Sequence, residues 1–196
     1  MTISTFTLLL ASASPRRHEL LRSFYKFRIA PADIDECVRK GEGPRAYVLR
    51  MAREKWMKSA GAQRRSELVV AADTSVILGR EILGKAANAA EAKRMLAKLS
   101  GKEHIVLTAI AVGWSSKRSP GILKTVRTRV KFRKLSGKEI SLYLRMGDWK
   151  GKAGAYAIQG RASTLVDEVR GSLSNVIGLP LVETLEAIAH VRAQSP

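Results

Sequence analysis

Cysteine is nearly missing from this chain: Cys37 is the only one in 196 residues. A single thiol excludes an internal disulfide framework and any cysteine-rich zinc site, and it fits a reducing compartment, the cytoplasm. Histidine is almost as scarce. His18, His104 and His190 stand too far apart for a His-x-x-x-His ligand pair, so no zinc centre is expected. Long apolar runs are absent, and no window approaches the roughly 18 apolar residues of a membrane span. The apolar start, Met1 to Leu10, has no basic residues ahead of it and reads as the approach to a buried strand, not an export signal. Neither a G-x-x-x-x-G-K-[ST] phosphate loop nor a G-x-S-x-G nucleophile elbow occurs. Repeats and low-complexity segments are also lacking.

Acidic residues are the last shortage. Asp and Glu number 17 against 35 Lys and Arg, a formal net charge of +18. Hydrophobic residues make up 45%, ordinary for a folded domain and too many for a disordered basic tail. The surplus charge calls for an anionic partner: nucleic acid, membrane headgroups or phosphorylated small molecules.

The patterning alternates strands and helices. Phe6 to Ala11 is a short apolar run that reads as a buried parallel strand. Ser14 and Pro15 then start a helix as N-cap and first helical residue, running to about Ser23. A strand is expected at Phe27 to Ala30, and a helix from Pro44 to about Ala60. A buried strand at Leu68 to Ala72 ends at Asp73-Thr74 and resumes at Ser75 to Leu78. Asn88 with Glu91, and Ser136 with Glu139, have capping-box spacing and open helices to Leu99 and Met146. Strands are expected at Ile105 to Val112, Lys124 to Arg133 and Leu165 to Val169. An irregular glycine-rich loop around a short strand covers Gly147 to Gly160, and a closing helix runs from Pro180 to Val191. The class is α/β with a mixed, largely central sheet flanked by helices, and the chain reads as one domain, 1–196.

Five places carry chemistry. Arg16 and Arg17 sit in a first helical turn, where cations oppose the macrodipole by roughly 0.3–1 kcal/mol each. A docked anion would reverse that cost, since free N–H groups and two guanidiniums make a phosphate receptor; two solvated arginines are the other reading. Asp73 follows five apolar residues, and a carboxylate there is costly unless it meets a metal, a cation or a reacting water. A turn-forming Asp is the alternative. Asp33, Asp35 and Glu36 form an acidic cluster, either a solvated turn or, with Asp73, a hold on Mg²⁺ or Mn²⁺. Lys55 shares a helical face with Tyr47, Val48, Met51 and Ala52, and needs a partner unless it snorkels to solvent. Lys85 follows a glycine, as a phosphate-contacting lysine does. His18, on the first helix, reads as exposed.

Seven segments then fall in a recognisable order. They are Leu-Ala-Ser-Ala-Ser-Pro-Arg-Arg-His-Glu-Leu-Leu (10–21), Asp-Ile-Asp-Glu (33–36), Ala-Ala-Asp-Thr (71–74) and Ile-Leu-Gly-Lys (82–85). Leu-Ser-Gly-Lys-Glu-His (99–104), Lys-Ala-Gly-Ala-Tyr-Ala-Ile-Gln-Gly (152–160) and Gly-Leu-Pro-Leu-Val-Glu-Thr (178–184) complete the set. Together they resemble the Maf family of nucleoside triphosphate pyrophosphatases, the septum formation proteins, over nearly the whole chain. The resemblance implies a two-lobed α/β fold with an active-site cleft between the lobes, related to the ITPase-like proteins. It implies cleavage of a nucleoside triphosphate to the monophosphate and pyrophosphate with a divalent metal, Mg²⁺ or Mn²⁺, and leaves a homodimer open.

By motif, Asp73 would activate water and Glu36 would help hold the metal. Lys55 and Lys85 would neutralise the triphosphate. Arg16 and Arg17 would bind phosphate, with Ser12 and Ser14 lining the same loop. Arg16, Thr74 and Gln159 match positions tied to base discrimination. Asp-Thr at 73–74 and the segment ending in Gln159 resemble the branch acting on dTTP and UTP, and an amide pairs donor-to-acceptor with a pyrimidine imide edge. Two positions depart from the family pattern: Ala86, where proline is usual, and Trp56, where a small residue is usual.

The surplus charge also suits a different function, a basic nucleic-acid-binding or cell-division regulatory protein. Ser115 to Lys150 holds eleven Lys/Arg against Glu139 and Asp148, half of the +18. Arg127, Arg129, Lys131 and Arg133 alternate along one strand, 124–134, and could track a phosphate backbone. The ribbon has little aromatic interleaving for base stacking, so any nucleic-acid affinity is expected to be weak and non-specific. A solvated face guarding an edge strand is the simpler reading.

Overall fold

The computed structural model describes residues 6–194. The beginning of the N-terminal apolar stretch, 1–5, lies outside the described residues. Elements follow in the order β1 (Leu8–Leu10), α1 (Pro15–Arg22), β2 (Phe27–Ile29), α2 (Pro44–Gly61), β3 (Leu68–Leu78), β4 (Glu81–Leu83), α3 (Ala89–Leu99), β5 (Glu103–Trp114), β6 (Ile122–Phe132), α4 (Gly137–Arg145), a 3₁₀ turn (Gly160–Leu165), β7 (Val166–Arg170), α5 (Leu173–Ile177) and α6 (Leu181–Ala193). The fold is mixed α/β: a seven-stranded sheet in the order β2-β1-β3-β5-β6-β7, with β4 paired to β3 off that path. β1 is parallel to β2 (Leu8 beside Phe27) and to β3 (Leu8 beside Leu68), whereas β3/β4 and β6/β7 are antiparallel. No described helix is long and apolar enough to cross a membrane.

The chain divides into two compact units. Among the described residues the first comprises 6–73, 108–126 and 178–194, and the second 74–107 and 127–177. In the first, Leu8, Leu10, Leu68, Val70, Ile110 and Val112 from the strands close against Leu21 of α1 and Ile188 and Val191 of α6. Trp114 fixes the α6 contact by donating its indole N–H to the Val191 carbonyl at 3.1 Å. In the second, Leu96 and Leu99 of α3, Ile140 and Tyr143 of α4, and Val130 and Phe132 of β6 surround Tyr156 and Ala162.

Several expectations change in the structure. β3 runs unbroken through Asp73-Thr74, and both residues lie mid-strand. Thr74, Val76 and Ile77 are β-branched and hold extended backbone well, and the Asp73 carboxylate finds a cation, so nothing forces a turn. Ser14 occupies the α1 N-cap position, yet its side chain makes no cap bond. The Ser12 hydroxyl organises that turn, accepting from Ser14 N–H at 3.2 Å. Ser136 and Glu139 form the full capping box. Asn88 forms only half of one, because the Glu91 carboxylate accepts from Ala87 N–H instead. The strand expected within 147–160 shrinks to a single bridge between Lys85 and Ala153. Gly147, Gly151, Gly154 and Gly160 there all take positive φ, as does Ala155 at 59°, which breaks any ladder.

Candidate active site

In the first unit, α2 brings one ammonium to two carboxylates, one on β3 and one in the stretch ahead of the helix. Apolar residues at helical spacing bury one side of α2 (Tyr47, Val48, Met51, Ala52), and Lys55 rides on that side. Its Nζ lies 2.7 Å from Asp73 Oδ1 and 2.7 Å from Glu36 Oε1. Lys55 therefore does not snorkel to solvent. Asp73 is anchored by the β3 backbone, whereas Glu36 belongs to 30–43, a stretch without helix or strand. Asp35 stays outside this cluster, its Oδ1 accepting from Cys37 N–H at 2.9 Å in a local turn. Cys37 is exposed.

Side chains not singled out in the sequence hold this stretch to α2. Tyr47 donates its hydroxyl to the Glu36 carbonyl at 2.9 Å. Burial first, then the charges of Asp73 and Glu36, push the Tyr47 phenol up to about 12, so it stays a donor across ordinary pH. Arg50 donates to the Cys37 carbonyl at 2.9 Å and forks onto Glu42 with two bonds of 2.6 Å. A faint signal existed: Tyr47 and Arg50 are three apart on the helix that carries Lys55.

The α1 end is built around Ser12 and Arg17. Arg17 donates through Nε to the Gly178 carbonyl at 2.7 Å and through Nη1 to Ser12 Oγ at 3.3 Å. It thereby joins the first and last of the seven segments. Burial pulls its guanidinium below the usual range; Asp73 opposes that shift, Arg16 adds to it and Glu36 opposes it. Arg17 thus stands in the field of the carboxylate pair. His18 is half-buried, not exposed, with Nε2 2.7 Å from the Ser12 carbonyl and its ring tilted against Phe27.

The structure thus gathers Ser12, Ser14, Arg16, Arg17, Glu36, Lys55 and Asp73 within one unit. Thr74, Lys85 and Gln159 belong to the other. There, Gly154 N–H bonds the Leu83 and Gly84 carbonyls, which joins the segments bearing Lys85 and Gln159. Gln159 is exposed and sits at the start of the 3₁₀ turn. Ala86 packs against the second unit's core. Trp56 is fully buried beside Gly113, where a Cβ would lie 2.8 Å from the Pro120 and Gly121 backbone and 3.1 Å from the indole.

No group of three or more His, Cys, Asp or Glu that could hold a metal occurs among the described residues. The two carboxylates meet at the Lys55 ammonium, and as paired hard oxygen donors they fit Mg²⁺ or Mn²⁺, which take one or two protein carboxylates and fill the remainder with phosphate oxygens and water.

Most of the basic ribbon lies on β6, with Arg127, Arg129 and Lys131 exposed and Thr128, Val130 and Phe132 buried, as the alternation predicts, while Arg133 sits one residue past the strand and is half-buried. β6 is not an edge strand, because it lies between β5 and β7. Neighbouring acids answer its charges: Lys131 meets Asp167 at 2.8 Å, Arg133 meets Glu139 at 2.6 Å, and Arg129 meets Glu103 at 3.7 Å. Nothing here favours nucleic-acid binding.

Known proteins similar to this one cover most of the chain. The chain is 51% identical over 183 residues to the dTTP/UTP pyrophosphatase of Anaeromyxobacter dehalogenans (strain 2CP-1), covering 90% of each chain. It is 46% identical to that of Cereibacter sphaeroides, covering 93% and 94%, and 49% identical to that of Myxococcus xanthus, covering 91% and 89%. The solved structure of a HAM1 protein from Coxiella burnetii aligns with 97% of this chain and 100% of its own at a TM-score of 0.50 and 15% identity, a likeness of fold alone. The family profile described as Maf-like protein matches residues 7–191. Seven ordered segments, a lysine bracketed by two of their acids and a family match across nearly the whole chain agree: the chain belongs to the Maf-like protein family.

Proposed function

We propose that this protein hydrolyses dTTP and UTP to the monophosphate and pyrophosphate. The observation that carries the reading is the Lys55 ammonium held between Asp73 and Glu36. Support comes from relatives at 46–51% identity that bear the name dTTP/UTP pyrophosphatase. The water oxygen bonds to the α-phosphorus, the α–β anhydride bond breaks, and pyrophosphate departs.

In this reading Asp73 accepts a proton from the attacking water, and Lys55 keeps its carboxylate oriented. Asp73 and Glu36 would hold the divalent ion. When bound, that ion supplies charge neutralisation on the phosphates and makes a nearby water easier to deprotonate. Arg16 and Arg17, with Ser12 and Ser14 shaping their loop, receive phosphate oxygens, and the α1 N-terminus adds its dipole. Roles for Lys85 on the triphosphate, and for Thr74 and Gln159 on the base, rest on the family resemblance. Phosphoryl chemistry asks a protein mainly for positioning and charge stabilisation, which a carboxylate and a set of cations provide. A single cysteine and a nucleotide substrate fit the cytoplasm.

The test is a panel of canonical and modified triphosphates with Mg²⁺ or Mn²⁺, read by separate pyrophosphate and orthophosphate assays. Pyrophosphate from dTTP and UTP is expected. An intact panel, or orthophosphate as the product, refutes the reading.

A further inference from the structure

Of the two carboxylates facing Lys55, only Asp73 is fixed by regular structure. Glu36 stands in 30–43, where no ladder or helix sets the backbone. Its position therefore depends on what ties that stretch to α2. Tyr47 grips the carbonyl of Glu36 itself. Arg50 grips the next carbonyl, that of Cys37, and clamps the far end of the stretch through Glu42. Glu42 also accepts from Arg39 N–H at 3.1 Å, which closes the segment into a loop.

This arrangement is not a decorative surface pair. The Arg50 and Glu42 side chains keep only 13% and 10% of their surface exposed, against 49% and 50% for Lys98 and Glu81, a pair joined at the same 2.6 Å. A forked guanidinium–carboxylate contact also carries directional information that a lysine cannot reproduce. With its remaining Nη2 contact on Cys37, Arg50 converts the orientation of α2 into the position of the residue beside Glu36.

We propose that Arg50 is a positioning residue for Glu36: it sets the 36–42 loop so that the Glu36 carboxylate meets Asp73 at a common cation. This rests on the function proposed above. Its loss acts on metal affinity and leaves bond cleavage itself nearly intact. Groups that orient a ligating side chain typically cost about 10–100-fold in metal affinity when removed.

The experiment compares wild type, Arg50→Gln, Arg50→Lys and Arg53→Gln, the last an exposed arginine of the same helix with the same charge loss. Three readouts are taken: binding of Mn²⁺ alone by electron paramagnetic resonance, amide exchange across 36–42, and pyrophosphate release against Mn²⁺ concentration. Arg50→Gln should weaken Mn²⁺ binding about 10–100-fold and speed exchange across 36–42. At saturating Mn²⁺ its kcat should return to within a few-fold of wild type. Arg50→Lys should fall between, and Arg53→Gln should match wild type. Unchanged Mn²⁺ affinity in Arg50→Gln overturns the proposal, whether or not the melting temperature drops. So does an equal loss in Arg53→Gln, or a wild type that binds no Mn²⁺. If wild type binds Mn²⁺ and Arg50→Gln weakens that binding while no triphosphate is cleaved, the clamp stands and the proposed reaction falls.

Discussion

Lys55 donates to Asp73 at 2.7 Å, and each side chain keeps only 10% of its surface exposed. The bond joins a helix to a strand across eighteen positions of sequence. Removing the cation leaves Asp73 buried and charged beside Glu36. Breaking one side of such a buried pair costs about 3–5 kcal/mol, so Lys55→Met should lose stability on that scale in urea unfolding. Millimolar Mn²⁺ should restore part of the loss, because the ion replaces the missing charge. A Lys55→Met protein as stable as wild type without metal contradicts this account.

Asp73→Asn keeps the shape of the side chain and removes the proton acceptor. Turnover should disappear while the circular dichroism spectrum and the cooperativity of unfolding persist. Full activity in this variant removes Asp73 from its proposed role.

The Glu42–Arg50 pair predicts an acid-side signature. The Arg50 hydrogen bonds hold the Glu42 carboxyl down at about 2, below its ordinary 4.5. A depressed carboxyl contributes stability above its unfolded value and loses it as pH falls between those two numbers. Wild type should therefore lose melting temperature between about pH 4.5 and 2 more steeply than Glu42→Gln. Parallel curves for the two proteins would show that the pair contributes nothing.

His104 acts in the same direction at higher pH. Burial pulls its imidazole down to about 4 from 6.5, while its Nε2 pairs with the Tyr156 hydroxyl at 2.7 Å. Between those values the unfolded chain binds a proton that the folded chain refuses, so stability falls as pH drops from 6.5 to 4. The shift corresponds to about 3 kcal/mol. His104→Phe leaves Tyr156 unpaired and should be less stable at pH 7, yet flatter across that window by about this amount. Equal slopes would refute the assignment.

Gly154 combines a positive φ of 65° with a close approach, since a Cβ there would lie 2.9 Å from the Val76 side chain. Gly154→Ala should cost more than about 2 kcal/mol, from overpacking and left-handed strain together. Val76→Ala in the same chain should relieve the overpacking part and leave the backbone part. A double-mutant cycle with no coupling would show that the contact is not the cause.

Regular elements were legible wherever period and caps were strong, as at Ser136 with Glu139 and along the alternating face of β6. What escaped was short. β4 has three residues and α5 has five, too few for a period to show. Asp73 and Lys55 were legible because each put a charge on an apolar surface, which physics makes conspicuous. The break expected at Asp73 failed for a related reason: the sequence displays the buried charge but not the partner that makes its burial tolerable. Arg50 escaped because Glu42 lies just ahead of the helix, outside any repeating pattern.

α2 carries Tyr47, Arg50 and Lys55 within nine residues, each committed to a different partner along one loop and one strand. A helix advances about 1.5 Å and turns about 100° per residue. One residue inserted or deleted between Tyr47 and Lys55 would thus swing one end out of phase with the other, whatever the chemistry of the new residue. Substitutions in this helix remove contacts one at a time. A change in its length would uncouple them together, so the spacing of these three side chains is itself part of the site.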